Sequence, residues 1–407
     1  MIAVVGATGT LGPLLVAVLQ ARAIPVRVVS RNATAARVRL AGVDVGEADI
    51  AKRDQAIRAL RGASVVVSAI SGFGSKGGVR MVDLEANRTL ADAAQVAGVE
   101  HFILLSVSGA SADHPIELFR MKHAAEEAVR ACGVPWTIIR PSAYLETWLG
   151  LVGGPLVEKG KTLVFGRGRN PINFVSASDV ARFVEFAITD PSLRGRSIEV
   201  PGPENLTLDE LVAIVQRVTG LTGKVSHAPT PVMRVLSVAL RPFDPMRAGQ
   251  IATAVVMDSG DMTLDGASVR AAYPSIPMTS AGEVAERLFG AGRQPMGRGR
   301  PPRPSADRGP ASEPRHRGRG VPAGYARALT VLERCADHGA VRQTGDRHNQ
   351  SPGARPRLGS YSWVEPLARH AARLAEIAEP QAGDGRCRRV PRREIHARSV
   401  AGGSDHG

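Results

Sequence analysis

The first twelve residues, M-I-A-V-V-G-A-T-G-T-L-G, restrict the fold of this chain more than any other stretch. Ile2 to Val5 is a short apolar run that reads as a buried strand. It gives way to Gly6, Gly9 and Gly12, and then to Pro13–Ala23, a run of helical character. Strand, glycine turn and helix in direct succession is the setting that gives a glycine pattern a mechanism. Gly6 would let the backbone leave the strand in a conformation closed to residues with a Cβ. Gly9 would remove a side chain where a dinucleotide pyrophosphate approaches, and Gly12 would let the helix pack closely on the strand. The helix start aims unpaired N–H groups and a partial positive charge at the phosphates. Gly6, Ala7, Thr8, Gly9, Thr10, Leu11 and Gly12 are therefore the candidate nucleotide-binding turn. The spacing is G-x-x-G-x-x-G rather than G-x-G-x-x-G, and a turn with a purely structural role is the competing reading.

The rest of the first 140 residues alternates in the same way. Strands are expected at Pro25–Val29, Val43–Val45, Ala63–Ala69, His101–Ser106 and Pro135–Ile139. Helices are expected at Thr34–Leu40 (Thr34 as cap), Arg53–Leu60, Val79–Ala97 and Pro115–Cys132. Strands this apolar, separated by helices, imply a parallel sheet covered on both faces. With a nucleotide turn after the first strand, the expected class is α/β, a doubly wound parallel sheet of Rossmann type.

After Arg140-Pro141 the alternation loosens. Gly154–Gly168 reads as a glycine- and lysine-containing stretch with a short strand at Thr162–Phe165. Further strands are expected at Ile172–Val175 and Ser197–Val200, and helices at Ser178–Ile188, Pro231–Leu240 and Met246–Met257. Thr207–Val218 and Ser280–Phe289 each open with a capping box, Thr207 with Glu210 and Ser280 with Glu283. The expected organisation is one domain over 1–290, with a nucleotide core at about 1–140 and a small substrate subdomain at about 141–290 that mixes sheet extension and lid.

Composition separates the remainder. Net charge is +14, and the residues after Met296 hold 21 arginines, no lysine and 11 acids, about +10 of that total. Residues 291–407 read as an Arg/Pro/Gly-rich, mostly disordered basic tail. Arginine can bind phosphates by charge, but aromatics for base stacking are sparse, so nucleic-acid binding is the disfavoured third reading. Arginine without lysine is also what a GC-rich gene yields when translated out of frame or past its natural stop; full solubility and activity of a chain ending near Gly290 is the outcome that hypothesis expects. Cys132, Cys335 and Cys387 form no metal or redox spacing. The most apolar region, Val232–Met257, is broken by Arg234, Arg241, Pro242, Asp244, Pro245 and Arg247, so no membrane span is expected. These features fit a cytoplasmic protein acting on a small molecule, without a metal; a homodimer is compatible with them.

Several stretches together resemble one superfamily. They are Gly6-Ala-Thr-Gly-Thr-Leu-Gly12, Val28-Val-Ser-Arg31, Asn87, Ala93-Ala-Gln-Val-Ala-Gly-Val-Glu-His-Phe102, Leu105-Ser-Val-Ser-Gly109, Lys122, Ile139-Arg-Pro141 and Phe174-Val-Ser-Ala-Ser-Asp-Val180. The chain resembles the atypical short-chain dehydrogenases/reductases over about residues 1–290. Within them it is similar to the NmrA-like NAD(P)-binding branch and to reductases related to isoflavone and phenylcoumaran benzylic ether reductase. The resemblance implies that Asp49 meets the adenine edge, that the backbone of Ala69, Ile70 and Ser71 lines the nucleotide, and that Pro141 borders it. Cofactor choice has a physical argument of its own. An acid ending the second strand would bond the ribose 2′-OH and favour NAD. Here Ser30-Arg31-Asn32 holds no acid, and arginine pairs with a 2′-phosphate. NADP(H) is thus preferred, with NAD(H) left open.

The expected catalytic pattern is incomplete. The superfamily usually carries Tyr-x-x-x-Lys on the helix after the fifth strand, where the lysine lowers the tyrosine pKa and positions the ribose. Lys122 is present, but Leu118 stands four residues earlier with Phe119 beside it. In the reductase reading, Lys122 positions the nicotinamide ribose and serves as acid/base, as the resemblance to the benzylic ether reductases implies, and Ser106 or Ser108 bonds the substrate. Tyr144, Trp148 and the neighbourhood of Phe174, with Leu145 and Leu149, would line an apolar pocket suited to a carbonyl or quinone-like hydride acceptor. In the alternative, the domain binds NADP(H) as a non-catalytic sensor or scaffold.

Overall fold

The computed structural model describes residues 1–75 and 77–290. The basic tail, with Cys335 and Cys387, lies outside the described residues. The first half runs β1 (Ile2–Val5), α1 (Gly12–Ala21), β2 (Val26–Ser30), α2 (Ala33–Arg39), β3 (Asp44–Glu47), α3 (Arg53–Leu60) and β4 (Val65–Ser68). A π-helical segment, Arg80–Glu85, then leads directly into α4 (Ala86–Val96), followed by β5 (His101–Leu105), α5 (Glu117–Ala131) and β6 (Trp136–Pro141). Next come β7 (Ala143–Tyr144), α6 (Leu145–Lys159), β8 (Lys161–Phe165), β9 (Ile172–Val175), α7 (Ala177–Thr189), β10 (Arg196–Val200) and β11 (Glu204–Leu206). The described chain closes with α8 (Leu208–Thr219), β12 (Lys224–Ala228), α9 (Thr230–Ala239), α10 (Pro245–Met257), α11 (Ala267–Ala272) and α12 (Ala281–Phe289).

The main sheet has seven parallel strands in the order β10-β6-β5-β4-β1-β2-β3. Order reverses at β1, which pairs with β2 on one side and β4 on the other, so the doubly wound architecture is present. Strand period 2 divides the side chains between two layers. Ile2, Val4, Val67 and Ile103 join Leu15, Leu19, Val180 and Phe183 of α1 and α7 in one core. Ala3, Val5, Val66 and Phe102 join Leu60, Leu90, Ala94 and Val129 of α3, α4 and α5 in the other.

A third core is built from α6, α8, α9, α10, α12 and the short strands β8 and β9, around Leu149, Leu156, Phe174, Leu211, Val215 and Ile251. Here β11-β9-β7 form a small sheet and β12 pairs with β8. Two local expectations need correction. The cap of α2 is Asn32, whose side chain accepts from Ala35 N at 2.9 Å, and not Thr34, which lies inside the helix. The glycine- and lysine-containing stretch read from Gly154 begins inside α6, which runs through Gly150, Gly153, Gly154 and Pro155. A Cβ on Gly153 would lie 2.8 Å from the Phe289 ring and 2.9 Å from Val215, so glycine there lets α6 approach α8 and α12 closely.

Candidate functional site

The carboxyl ends of β1, β2, β4, β5 and β6 form one edge of the sheet, and most of the nominated residues lie along it. Val5 is level with Val29 and Ser68, and Leu105 with Ile139, so Gly6, Arg31, Ala69 and Ser106 follow neighbouring strand ends. Gly6 has φ +86°, and a Cβ there would lie 2.5 Å from Ala69 O. Glycine is therefore required where the turn crosses the end of β4. Gly12 serves a different contact from the one expected: its Cβ would meet the Ala7 backbone at 2.3 Å, so it closes the turn on itself rather than on the strand.

Gly9 contrasts with both. It is exposed, and the nearest atom to its virtual Cβ is Gly6 O at 3.4 Å. The protein's own packing does not require glycine here, which leaves a backbone rim free of side chain on the solvent side. Behind it, α1 starts with Pro13 near its first position, no side-chain cap and no acid in its first turn. Such a start leaves backbone donors for an external anion. The turn thus fits a dinucleotide phosphate. Thr10 Oγ1 and Thr147 Oγ1, 3.2 Å apart, tie it to α6.

Arg31 is exposed just past β2, beside the Asn32 cap. Asp49 is half-buried past β3, and its carboxylate accepts from Ala51 N at 3.2 Å. Ile70 is half-buried and Ser71 exposed past β4. Pro141 is buried at the end of β6 and accepts from Ser108 N at 2.9 Å.

Lys122 reaches the same edge from beneath. It is only 5 % exposed, and its Nζ donates to Ile70 O at 2.8 Å and Leu105 O at 2.9 Å. The ammonium also pairs with Asp83 Oδ1 at 3.0 Å. Asp83 is fully buried in the π-helical segment, and its Oδ2 accepts from Gly72 N at 2.8 Å. Asn87 extends the network, donating to Asp83 O and accepting from Ser68 Oγ. Lysine, aspartate and asparagine therefore clamp the ends of β4 and β5 and the glycine-containing segment after β4.

Ser106 belongs to a second buried network. Its Oγ donates to Glu126 Oε1 at 2.5 Å. Glu126, fully buried, also accepts from Arg140 through both oxygens, at 2.9 and 2.5 Å, and from Arg130 at 3.1 Å. Burial pushes the Glu126 carboxyl up, but the hydrogen bonds from Arg140 and Ser106 and the charges of Arg140 and Arg130 outweigh it and hold the group below its ordinary range. Glu126 in turn raises Arg140 above its usual value.

The position that lacks tyrosine is filled by packing. Leu118 lies against the third core, and Phe119 stacks on His114 with ring centroids 4.1 Å apart. Tyr144 is half-buried, its phenol pushed up by burial and by the Glu146 charge. Trp148 is half-buried against Phe165 and Phe174, while Phe174, Leu145 and Leu149 sit inside the third core. A surface hollow of about 660 Å³ lined by Pro203, Asn205, Leu264, Asp265 and Arg270 includes none of the nominated residues. Among the described residues, no cluster of three or more His, Cys, Asp or Glu side chains is placed to hold a metal ion.

Comparison with known proteins places the chain in a family. The NmrA-like family matches residues 1–270. The chain belongs to the NmrA-like family. Among relatives, a (4-alkanoyl-5-oxo-2,5-dihydrofuran-3-yl)methyl phosphate reductase of Streptomyces griseus is 33 % identical over 221 residues, 54 % of this chain and 74 % of its own. An NAD(P)H azoreductase of Xenophilus azovorans is 27 % identical over the same shares. The photosystem II assembly factor Ycf39 of Cyanophora paradoxa is 26 % identical over 56 % of this chain and 71 % of its own. In fold, the chain is similar to the NADPH-dependent quinone oxidoreductase QOR2 of Escherichia coli complexed with NADPH. The TM-score is 0.59 at 23 % identity, covering 71 % of this chain and all of that one.

This NmrA-like chain buries two paired acids near the candidate edge that the sequence did not single out, Asp83 and Glu126. Each carried a signal. Asp83 is an acid between the apolar Val82 and Leu84, and Glu126 follows Lys122 by one helical turn on a face that also carries Ala125 and Val129. Acids on an apolar face are buried only when paired.

Proposed function

We propose that the chain is an NADPH-dependent reductase that passes a hydride to a small apolar acceptor. The observation that carries this reading is the glycine turn at the sheet's reversal point, closed by Gly6 and Gly12 and left open at Gly9, with Arg31 and no acid after β2. The turn receives the phosphates and Arg31 meets a 2′-phosphate. When bound, the nicotinamide supplies the hydride. Lys122 holds the ends of β4 and β5 beneath the ribose, its three donors committed to Ile70 O, Leu105 O and Asp83, so it shapes the floor of the site and adds positive charge there. Ser106 accepts a hydrogen bond from the substrate while donating its own proton to Glu126; Ser108 offers a second hydroxyl. Tyr144 and Trp148 face the acceptor.

The absence of a tyrosine on α5 narrows the acceptor. Reduction of an isolated carbonyl builds charge on one oxygen and needs a placed acid. A quinone, azo or extended conjugated acceptor spreads that charge and takes its proton from water. The reductases among the relatives support the same class. Consumption of NADPH against a quinone, an azo dye and a simple ketone tests this: turnover of the first two, with the ketone at least about a hundredfold slower, is expected of a site lacking the acid. Binding of neither NADPH nor NADH ends the reading. The second reading, a cofactor-binding assembly or sensing protein, draws on the similarity to Ycf39 and on the fully engaged Lys122. Tight NADPH binding with no turnover on any acceptor selects it.

A further inference from the structure

The helical hairpin α9–α10 carries apolar side chains on a face that the fold does not use. Met233, Leu236 and Leu240 turn α9 toward the third core. On its other side Val235 and Val238 are 71 % and 69 % exposed, and Phe243, at the tip between the two helices, is 85 % exposed. Pro231, Ala239, Pro242 and Met246 are exposed with them. The spacing 231, 235, 238 makes one stripe along α9, which Pro242 and Phe243 continue in the turn beyond the helix end. Arg234 and Arg241 flank it and are exposed. The one carboxylate between Thr230 and Met257 is Asp244, and it is spent locally, capping α10 and pairing with Arg247 at 3.1 Å.

We infer that this hairpin tip docks on the surface of an anionic lipid bilayer, with Phe243, Val238 and Val235 entering the headgroup region and Arg234 and Arg241 meeting lipid phosphates. Charge decides the occupant. The chain's own C-terminal segment is about +10 and would be repelled by the arginine rim. A second copy would bring another Arg234 and Arg241 to the patch and no carboxylate to answer them. An anionic membrane answers both arginines, gives the protruding phenyl ring an apolar destination, and attracts the basic C-terminal segment of the same chain as a second, weaker hold. The stripe is far too interrupted to span a bilayer; among the described residues no helix is long and apolar enough to cross one. The attachment lies on the surface and is independent of whether the chain reduces anything.

Co-sedimentation of the full chain with vesicles tests it. Binding to phosphatidylcholine vesicles containing phosphatidylglycerol, and little to pure phosphatidylcholine, is expected. The exposed pair Phe243→Asp and Val238→Asp should lower partitioning by about tenfold or more, and Arg234→Gln with Arg241→Gln by about tenfold, with unchanged thermal unfolding. A Phe243→Trp variant gives an independent reading: its emission should shift to the blue on mixing with the anionic vesicles. Vesicle binding that is indifferent to Phe243 and Val238 would assign the attachment to the basic segment alone and overturn the proposal. Loss of self-association in those variants without any effect of lipid would give the surface to a second copy and overturn it equally.

Discussion

The glycine turn and the buried Lys122 network lie on the same sheet edge, yet they are made in opposite ways. The turn is made of backbone and gaps: Gly6 and Gly12 are set by contacts their Cβ atoms would violate, and Gly9 by open space. The network is made of buried side chains whose polar atoms are already committed, Lys122 to Ile70 O, Leu105 O and Asp83, and Ser106 to Glu126. A backbone site receives a ligand without giving up internal bonds. A side-chain cluster of this kind holds the strand ends in register, and its polar atoms stay in fixed positions.

That contrast breaks most visibly at Gly12. Gly12→Val would drive a Cβ to 2.3 Å from the Ala7 backbone, which has no flexible atom to yield. The expected loss exceeds about 5 kcal/mol, enough to prevent recovery of folded protein. Next comes the Lys122 network. Lys122→Met leaves Asp83 buried without its cation and should cost about 3–5 kcal/mol in urea unfolding. Adding Asp83→Leu to that variant should recover much of the loss, because the orphaned charge goes with it. If Lys122→Met were neutral, the ammonium would have no structural duty and the contrast would fail.

How far the sequence revealed each region follows from the same difference. The turn was legible because its requirements are local: three glycines, a strand before and a helix after. The capping boxes at Thr207–Glu210 and Ser280–Glu283 were legible for that reason too, and both form. Lys122 was visible as a residue, but its partner Asp83 lies 39 positions earlier on a π-helical segment, and no spacing rule joins them. Glu126 and Arg140 sit on a helix and the following strand, and only the folded register brings them together. Helix α6 was hidden because Gly150, Gly153, Gly154 and Pro155 are helix breakers in isolation. Tertiary packing against Phe289 and Val215 overrides them.

The opposite end of β5 sharpens the comparison through pH. His101 is 1 % exposed and its Nε2 lies 2.9 Å from Thr137 Oγ1, which itself donates to Leu193 O. Burial, helped by the Arg194 charge, lowers its pKa from 6.5 to about 4. The folded state therefore keeps the imidazole neutral, while the unfolded chain takes up a proton below pH 6.5. Stability falls as pH drops from about 6.5 to about 4, by about 3 kcal/mol at most, and His101→Gln should flatten that slope. Glu126 works in the same direction lower on the scale: its carboxyl is held down in the fold, so its contribution is lost as pH falls through that depressed value.

The smallest effect on stability is the most informative about function. Gly9→Ala places a methyl group whose nearest contact is Gly6 O at 3.4 Å, on exposed backbone without a positive φ. Unfolding free energy should change by no more than about 0.5 kcal/mol. NADPH affinity, followed by quenching of protein fluorescence, should nonetheless fall by about tenfold or more, because the methyl group occupies the side from which a pyrophosphate approaches. Equal affinity in the two proteins would move the phosphates away from Gly9. A large loss of stability instead would make Gly9 a packing glycine like Gly12, and the distinction between a turn held by its own atoms and a turn kept open for a ligand would vanish.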